Sequence, residues 1–393
     1  MKTFALLILC LLYLAPTFEV LAQFRCTVVD PVSKHPSEPT FHVLTNAIRG
    51  QDITIPVVFH VLWHTSYENV SEEALLEQLN VLNQDFRRTN PDASNTPVDL
   101  LGIAGGSNFQ FCFADLDPWG NPTNGITRTY TDTVLWLDTW VGNDNIFNDE
   151  TGGVDPWDQL HYLNIYVFNR SHFAGTASTP QNHGYGYDGV AIKWSHAADA
   201  NRTLTHEVGH YFGLHHVQGG TAFEVSCGDD YVDDTPLQTF HYDCPTYPFY
   251  SCGNTSISDL FMNYMDYSPS ECKNMFTVGQ VERMVAQFEQ YRTSFLEVNG
   301  CFSVGFEDLV DRPKKFNLSP NPTNGMLNVS LLAHSHRVSF KLIDAAGRTE
   351  MMRAASNFET MITFDVSSLS AGMYLVQALE DDVVIGQERL VVY

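Results

Sequence analysis

Between positions 206 and 216 the chain reads His206-Glu207-Val208-Gly209-His210-Tyr211-Phe212-Gly213-Leu214-His215-His216. Two histidines four apart on a helix project from one face, so their imidazole nitrogens can converge on a single metal ion with Glu207 beside them. Gly213 is placed to end that helix, because a residue without a side chain takes the left-handed conformation that turns the chain sharply. His216 then comes back as a third ligand, while His215, out of phase with the pair, reads as a surface or supporting residue. A bare His-Glu-x-x-His arises now and then by accident in a chain with 15 histidines. The glycine and the third histidine at fixed spacing make accident remote, and the stretch predicts a zinc site at His206, His210 and His216.

A second segment, Asn263-Tyr264-Met265-Asp266-Tyr267, lies about fifty residues downstream. Together the two segments resemble the extended zinc signature and Met-turn of the metzincin metallopeptidases, and the flanking residues are most similar to the pappalysin and cytophagalysin branch. The resemblance covers roughly residues 53 to 296. It implies an α+β catalytic domain, with a mixed sheet, a zinc helix and a loop-rich lower subdomain, that hydrolyses peptide bonds in proteins. Zinc held by three neutral imidazoles keeps an open position for water and lowers its pKa to about 7. Glu207 is the expected general base, Met265 the floor beneath the histidines, and Tyr267 a contact to the zinc or to the developing oxyanion.

Ahead of this domain, Lys2 precedes an apolar run from Phe4 to Ala15, broken by Pro16 and followed by Val20-Leu21-Ala22. That is a secretory signal peptide over residues 1–22, too short to span a bilayer permanently. No later stretch is apolar for long enough to be transmembrane. The mature chain then keeps seven cysteines, Cys26, Cys112, Cys227, Cys244, Cys252, Cys272 and Cys301. An odd number in an oxidising compartment leaves at least one engaged otherwise than in an internal disulfide. Cys26 lies in a polar, proline-containing stretch, residues 23–51, that reads as a pro-segment with Arg49-Gly50 as a possible cut. In similar zymogens such a cysteine ligates the zinc, although Thr27 stands here where glycine usually follows; a disulfide from Cys26 to Cys112 or Cys301 is the alternative.

Within residues 52–302, Ile53 to Trp63 is β-branched and apolar enough for a buried strand. Ser71 caps a helix that carries Leu75, Leu79, Leu82 and Phe86 on one face. Phe109 to Leu116, Tyr162 to Val167 and Gly189 to Trp194 read as further strands. The resemblance makes the last of them the antiparallel edge along which a substrate backbone adds. Asn201 is the expected N-cap of the zinc helix. Residues 217 to 272 are rich in Gly, Asp, Pro, Tyr and Cys, the composition of a segment held by crosslinks. Its four cysteines allow three pairings; the resemblance favours Cys227–Cys252 and Cys244–Cys272. Asp229, Asp230, Asp233 and Asp234 cluster in a tight loop whose oxygens suit calcium, and the resemblance points to Asp230 and Thr235 as ligands. Thr277 and Gln280 form a capping box before a helix with Val281, Met284, Val285, Phe288 and Phe295 on its apolar side. After the Met-turn, Ser270 stands where related sequences often place aspartate, and Glu271 is the carboxylate left in that stretch. If Glu271 points outward, the specificity pocket prefers an uncharged or apolar residue.

Residues 303–315 read as a linker, and 316–393 as a small all-β sandwich of short strands such as Val338 to Ile343 and Tyr374 to Leu379, separated by Asn-Gly and Ala-Gly turns. Phe316 to Gly325, Asp344 to Arg348, Leu369 to Tyr374 and the terminal Val391-Val392-Tyr393 resemble the C-terminal sorting domain of type IX secretion. That resemblance implies the secretion machinery as a partner, and a secreted or surface-attached product of a Bacteroidetes-type bacterium. A net charge of −25 argues against nucleic acid as a partner. Two rival readings remain, a non-catalytic zinc-containing surface adhesin and a metal-dependent hydrolase acting on a non-peptide substrate; the intact Glu207 speaks against the first and the Met-turn against the second.

Overall fold

The computed structural model describes residues 26–29, 52–121, 123–136, 145–171, 173–219, 227–297, 316–331, 338–343, 348–355, 361–380 and 383–393, with backbone alone for 26–29, 145, 331, 380 and 383–387. The stretches expected to be a signal peptide and a linker, most of the expected pro-segment, the Arg49-Gly50 bond and Cys301 lie outside the described residues.

The catalytic part is built on a seven-stranded sheet. β1 (Cys26–Val29) is followed by β2 (Ile53–Trp63), a strand buried along nearly its whole length. Burial on both faces explains its unbroken apolar run, because its neighbours are parallel and the sheet is covered on each side. α1 (Glu72–Arg87) starts where Ser71 accepts from the Ala74 N–H at 3.2 Å, and it buries Leu75, Leu79, Leu82 and Phe86. β3 (Ala104–Gly105) precedes β4 (Phe109–Phe113), which stops short of Leu116 because a turn begins at Asp117, whose Oδ1 accepts from the Trp119 and Asn121 N–H groups. β5 (Ile126–Tyr130) runs Ile-Thr-Arg-Thr-Tyr, β-branched or aromatic at four of five positions, and is mostly half-exposed; it adds a strand that the sequence reading did not name. β6 (Leu163–Phe168), β7 (Gly175–Ser178) and β8 (Val190–Lys193) complete the sheet, in the order β1-β7-β8-β6-β2-β4 with β5 also on β2.

The strand following Gly189 is not the edge. β8 lies inside the sheet, parallel to β6 on one side and antiparallel to β7 on the other. The antiparallel strand lining the cleft is β7, Gly-Thr-Ala-Ser, which has neither the length nor the apolar residues that announce a strand. After α2 (Trp194–Ala198) comes α3 (Thr203–Tyr211), the helix of the two histidines. Asn201 is not its N-cap: that position is Arg202, although Asn201 Oδ1 accepts from the Thr203 N–H at 3.0 Å and so still serves the first turn.

Among the described residues, 227–269 hold no helix or strand. This lower subdomain is crosslinked by Cys227–Cys252 and Cys244–Cys272, with Cα separations of 5.5 and 5.8 Å. β9 (Phe276–Thr277) pairs with β3 and leads into α4 (Val278–Tyr291), where Thr277 and Gln280 form the capping box. Phe295 is buried but lies past the end of α4, in a short 3-10 turn. The core is packed between the sheet and the helices α1, α3 and α4.

The C-terminal domain is a sandwich of two antiparallel sheets. One contains β10 (Phe316–Ser319), β11 (Met326–Leu331) and β14 (Met361–Asp365). The other is ordered β13-β12-β15-β16, comprising β12 (Val338–Ile343), β13 (Thr349–Ala354), β15 (Gly372–Glu380) and β16 (Val383–Val392). Alternate residues of β12, Val338, Phe340 and Leu342, point into its core as the period of two requires. Among the described residues no helix is long and apolar enough to cross a membrane.

Candidate metal centre

Helix α3 turns Leu204, Val208 and Tyr211 toward the core and His206 and His210 toward the cleft. Gly213 has φ +89°, the left-handed turn that brings the chain back to His216. The Nε2 atoms of His210 and His206 are 3.1 Å apart, and those of His210 and His216 are 3.0 Å apart. Ligand atoms about 2.0–2.1 Å from a tetrahedral zinc stand about 3.3 Å from one another, so this spacing is that of a zinc triad. The far sides of the rings fix the tautomers. His206 donates Nδ1–H to the Tyr264 carbonyl at 2.7 Å, and His210 does the same to the Leu214 carbonyl at 2.7 Å. Burial, with the neighbouring charges, holds His206 well below its ordinary pKa and lowers His210 to about 3. Both rings are therefore neutral, with Nε2 lone pairs directed at each other. Lone pairs facing at 3 Å repel unless a cation lies between them, so the donor set fits zinc. Among the described residues these three histidines are the group of His, Cys, Asp or Glu side chains close enough to hold one ion.

Glu207 is fully buried on the same helix, against β7. A Cβ on Gly175 would collide with its carboxylate, so glycine suits the point where β7 passes the site. Met265 is also fully buried, its Sδ only 2.5 Å from where a Cβ on Gly209 would stand; helix and Met-turn meet through the absence of that side chain. The Tyr267 ring lies 4.6 Å from that of His216, and its hydroxyl is 3.2 Å from His216 Nδ1. His215 is half-buried, its ring 5.6 Å from that of Tyr231.

Several supporting residues escaped the sequence reading. Asp85 of α1, buried, accepts from Arg202 Nε at 3.1 Å, the Thr205 hydroxyl at 2.8 Å and the Tyr264 hydroxyl at 2.7 Å. It thereby joins α1, the start of α3 and the residue whose carbonyl orients His206. Burial raises its pKa, opposed by the Arg202 charge and these hydrogen bonds. The readable signal was its place beside the apolar stripe of α1, between Leu82 and Phe86, where a carboxylate requires partners. His241 is held between Asp266 and Asp259, at 2.8 and 3.2 Å. Burial disfavours its charge, but the two carboxylates outweigh that and raise it to about 9.

The remaining expected residues fall as follows. Asp230 and Thr235 are brought together: Thr235 Oγ1 donates to Asp230 Oδ1 at 2.6 Å, and Asp230 Oδ2 is buried with no hydrogen-bond partner among the described residues. Burial raises Asp230 to about 7. Asp234 instead accepts from the Thr277 hydroxyl and the Gly279 N–H, at the start of α4. Ser270 is taken up by Arg202, whose N–H and Nη1 donate to its Oγ and carbonyl; Glu271 is exposed. In the pairing of β1 with β7, Cys26 is the Cα partner of Gly175. Cys112 is disulfide-bonded on β4, at the opposite end of the sheet order from β1. Five strand spacings of about 4.8 Å separate them, beyond the roughly 7 Å a disulfide tolerates between Cα atoms. The Cys26–Cys112 alternative is thus excluded.

A neutral imidazole triad with a buried carboxylate one residue along the helix suits hydrolysis by an activated water, and the turn from Asn263 to Tyr267 beneath it places the chain among the metzincin zinc metallopeptidases. Comparison with known proteins narrows this. Residues 146–289 match the family of pregnancy-associated plasma protein-A, and residues 317–392 match the secretion system C-terminal sorting domain. An extracellular metalloprotease of Colletotrichum graminicola is 28% identical over 295 residues, which is 69% of this chain and 91% of that protein. Mature mirolysin of Tannerella forsythia in complex with a cleaved peptide is 39% identical with a TM-score of 0.57, over 62% of this chain and 97% of that one. A promirolysin mutant from the same organism is 40% identical with a TM-score of 0.59, over 63% and 84%. The chain belongs to the pregnancy-associated plasma protein-A family of metallopeptidases. It is a zinc-dependent endopeptidase, exported by way of its C-terminal sorting domain.

Proposed function

We propose that His206, His210 and His216 hold the zinc and that Glu207 is the general base of peptide-bond hydrolysis. When bound, zinc polarises a peptide carbonyl and lowers the pKa of a water to about 7. Glu207 takes a proton from the water and returns it to the leaving amine. His206 and His210 are kept in the ligating tautomer by the carbonyls of Tyr264 and Leu214, Met265 supports the helix from below, and Tyr267 orients His216. Once substrate is bound, the Tyr267 hydroxyl is the group we assign to the developing oxyanion. A substrate backbone adds along β7, where Gly175 leaves the strand bare beside Glu207. The observation that carries this reading is the set of facing Nε2 lone pairs 3.0 and 3.1 Å apart. Its test is Glu207→Ala, which keeps full zinc and a native melt while casein hydrolysis falls by several orders of magnitude; near-normal turnover would refute the mechanism.

We further assign residues 1–22 to a cleaved signal peptide, 23–51 to a pro-segment, and latency to Cys26, whose backbone is paired with Gly175 beside the catalytic carboxylate. The exclusion of a Cys26–Cys112 bridge supports this, and leaves Cys301 as the partner we assign to Cys112. Calcium at Asp230 and Thr235 is supported by the buried Asp230 Oδ2 and by the raised carboxyl, both of which a divalent ion would relieve. An uncharged or apolar preference in the specificity pocket is supported by the exposure of Glu271 and the engagement of Ser270 with Arg202.

A further inference from the structure

Phe240, His241 and Tyr242 form a device that catalysis does not use. The Tyr242 ring is parallel to that of Tyr267, at 5.9 Å and 5°, and Phe240 lies 4.8 Å from Tyr242 and 6.0 Å from Tyr267. Tyr267 in turn packs on His216 at 4.6 Å. An aromatic surface therefore continues from a metal ligand out to Tyr242, which is 39% exposed, with Phe240 half-buried beside it. Between these two, His241 points the other way. Its N–H and Nδ1 both engage Asp266 of the Met-turn, at 2.9 and 2.8 Å, and its Nε2 faces Asp259 at 3.2 Å. Phe249 and Phe261 flank the imidazole, and among the described residues the charged groups facing it are the two carboxylates. Asp259 is fixed in turn by the Ser251 N–H, and Asp266 by Gln238 Nε2.

We propose that Phe240 and Tyr242 are a substrate-binding wall that selects an aromatic or large apolar side chain close to the scissile bond, and that His241 is the positioning residue that anchors the wall to the Met-turn. Distance limits which substrate residues qualify. An extended peptide advances about 3.3–3.6 Å per residue. Two ring steps from His216 thus correspond to side chains within about three residues of the bond cut. Charge decides the class. The carboxylates directly behind the wall, Asp259 and Asp266, are both taken by His241, and Glu271 and Asp243 are exposed, where a carboxylate adds little to the binding of a cation. Parallel aromatic faces whose nearest acids among the described residues are taken by His241 favour stacking by Phe, Tyr or Leu over capture of Arg or Lys.

This inference rests on the endopeptidase reading and deepens it. The experiment uses the mature enzyme and quenched peptides that differ in one residue, Phe, Ala or Arg, at each of the three positions on either side of the bond cut. At one or more positions wild type prefers Phe to Ala by at least about tenfold in kcat/KM. Tyr242→Ala and Phe240→Ala bring that ratio to about threefold or less. His241→Gln lowers the ratio as well, whereas a purely structural lesion would slow the Phe and Ala peptides alike. The proposal is overturned if wild type digests casein yet shows no preference for Phe, if it prefers Arg, or if the ratio survives in the Phe240→Ala/Tyr242→Ala double variant. Failure of the zinc-loaded wild type to digest casein would instead strike the endopeptidase reading itself.

Discussion

Asp188→Asn tests whether the cleft is held by an ion pair outside the histidine triad. Asp188 and Arg292 are both fully buried, and the guanidinium contacts the carboxylate twice, at 2.9 and 3.0 Å. Arg292 also donates Nε–H to the Tyr211 carbonyl and stacks 3.4 Å from the Tyr211 ring, at the end of the zinc helix. Asp188 accepts from the hydroxyl of Ser178, the last residue of β7. One pair thus ties the cleft strand, the zinc helix and the end of α4 together. Burial would raise the Asp188 carboxyl, but Arg292 and the hydrogen bonds outweigh it and hold the pKa below the usual range. Breaking a buried pair on one side costs about 3–5 kcal/mol, because the other charge stays buried and uncompensated. For a domain of this size each kcal/mol moves Tm by about 2–4 °C, so a fall of about 6–20 °C is expected. The assay is a thermal melt of zinc-loaded protein in a Glu207→Ala background, which prevents self-digestion. Asp188→Leu/Arg292→Met, which removes both charges, should recover most of the loss. In the active enzyme, Asp188→Asn should raise KM more than it lowers kcat, because β7 loosens while the triad is untouched. A fall in Tm below about 2 °C, or a double variant no better than the single, would refute the argument.

Other consequences follow from single contacts. Gly175→Ala drives a methyl into the Glu207 carboxylate, so kcat should fall at least about a hundredfold at full zinc occupancy, and unchanged turnover would show that the strand yields instead. His241 has its pKa raised from 6.5 to about 9 on folding, so its contribution to stability is complete below pH 6.5 and is lost as pH rises through about 9. Wild-type Tm should decline across that window and His241→Gln should not share the decline; parallel curves would refute the clamp. Cys26→Ala zymogen should mature faster than wild type, and a mass spectrum placing Cys26 in a disulfide would refute its role in latency. Chelation should abolish activity, with zinc restoring the chemistry; if calcium occupies the Asp230 site, Asp230→Asn should lose the gain in Tm that added calcium gives wild type, and an equal gain in both would exclude that site.

Much of this was legible because the chemistry imposed spacing. The triad could be read from His206, His210, His216 and Gly213 because a tetrahedral ion fixes where ligands lie on a helix and when the chain must turn. β2 was legible over its full length because burial on both faces leaves an unbroken apolar run, and α1 and α4 because Ser71 and the Thr277/Gln280 box mark their starts. Asp85, His241 and the Asp188–Arg292 pair were not legible. Each is an ordinary charged residue in sequence, and its meaning comes from partners such as Arg202 at 117 positions' remove or Arg292 at 104. No local pattern encodes such a pairing.

β7 was missed for a different reason, one tied to what the strand does. A strand announces itself through β-branched and aromatic side chains that pack on a pleated face. Beside the metal that packing space is needed for Glu207, and at Gly175 even a methyl group has no room. On the side that β1 covers, a strand proposed to receive a substrate backbone must present bare N–H and C=O groups rather than bulk. Both demands select small residues, and Gly-Thr-Ala-Ser is the result. Its conformation is then supplied from outside, by the ladder to β8, by Asp188 holding Ser178, and by Arg170, which donates to the Thr176 hydroxyl and to the Ala191 carbonyl of β8. The requirements that make β7 fit to bind substrate are therefore the ones that erase its signature. The resemblance put the edge at the run after Gly189, but that run, buried between β6 and β7, has no such duty and keeps its apolar signature.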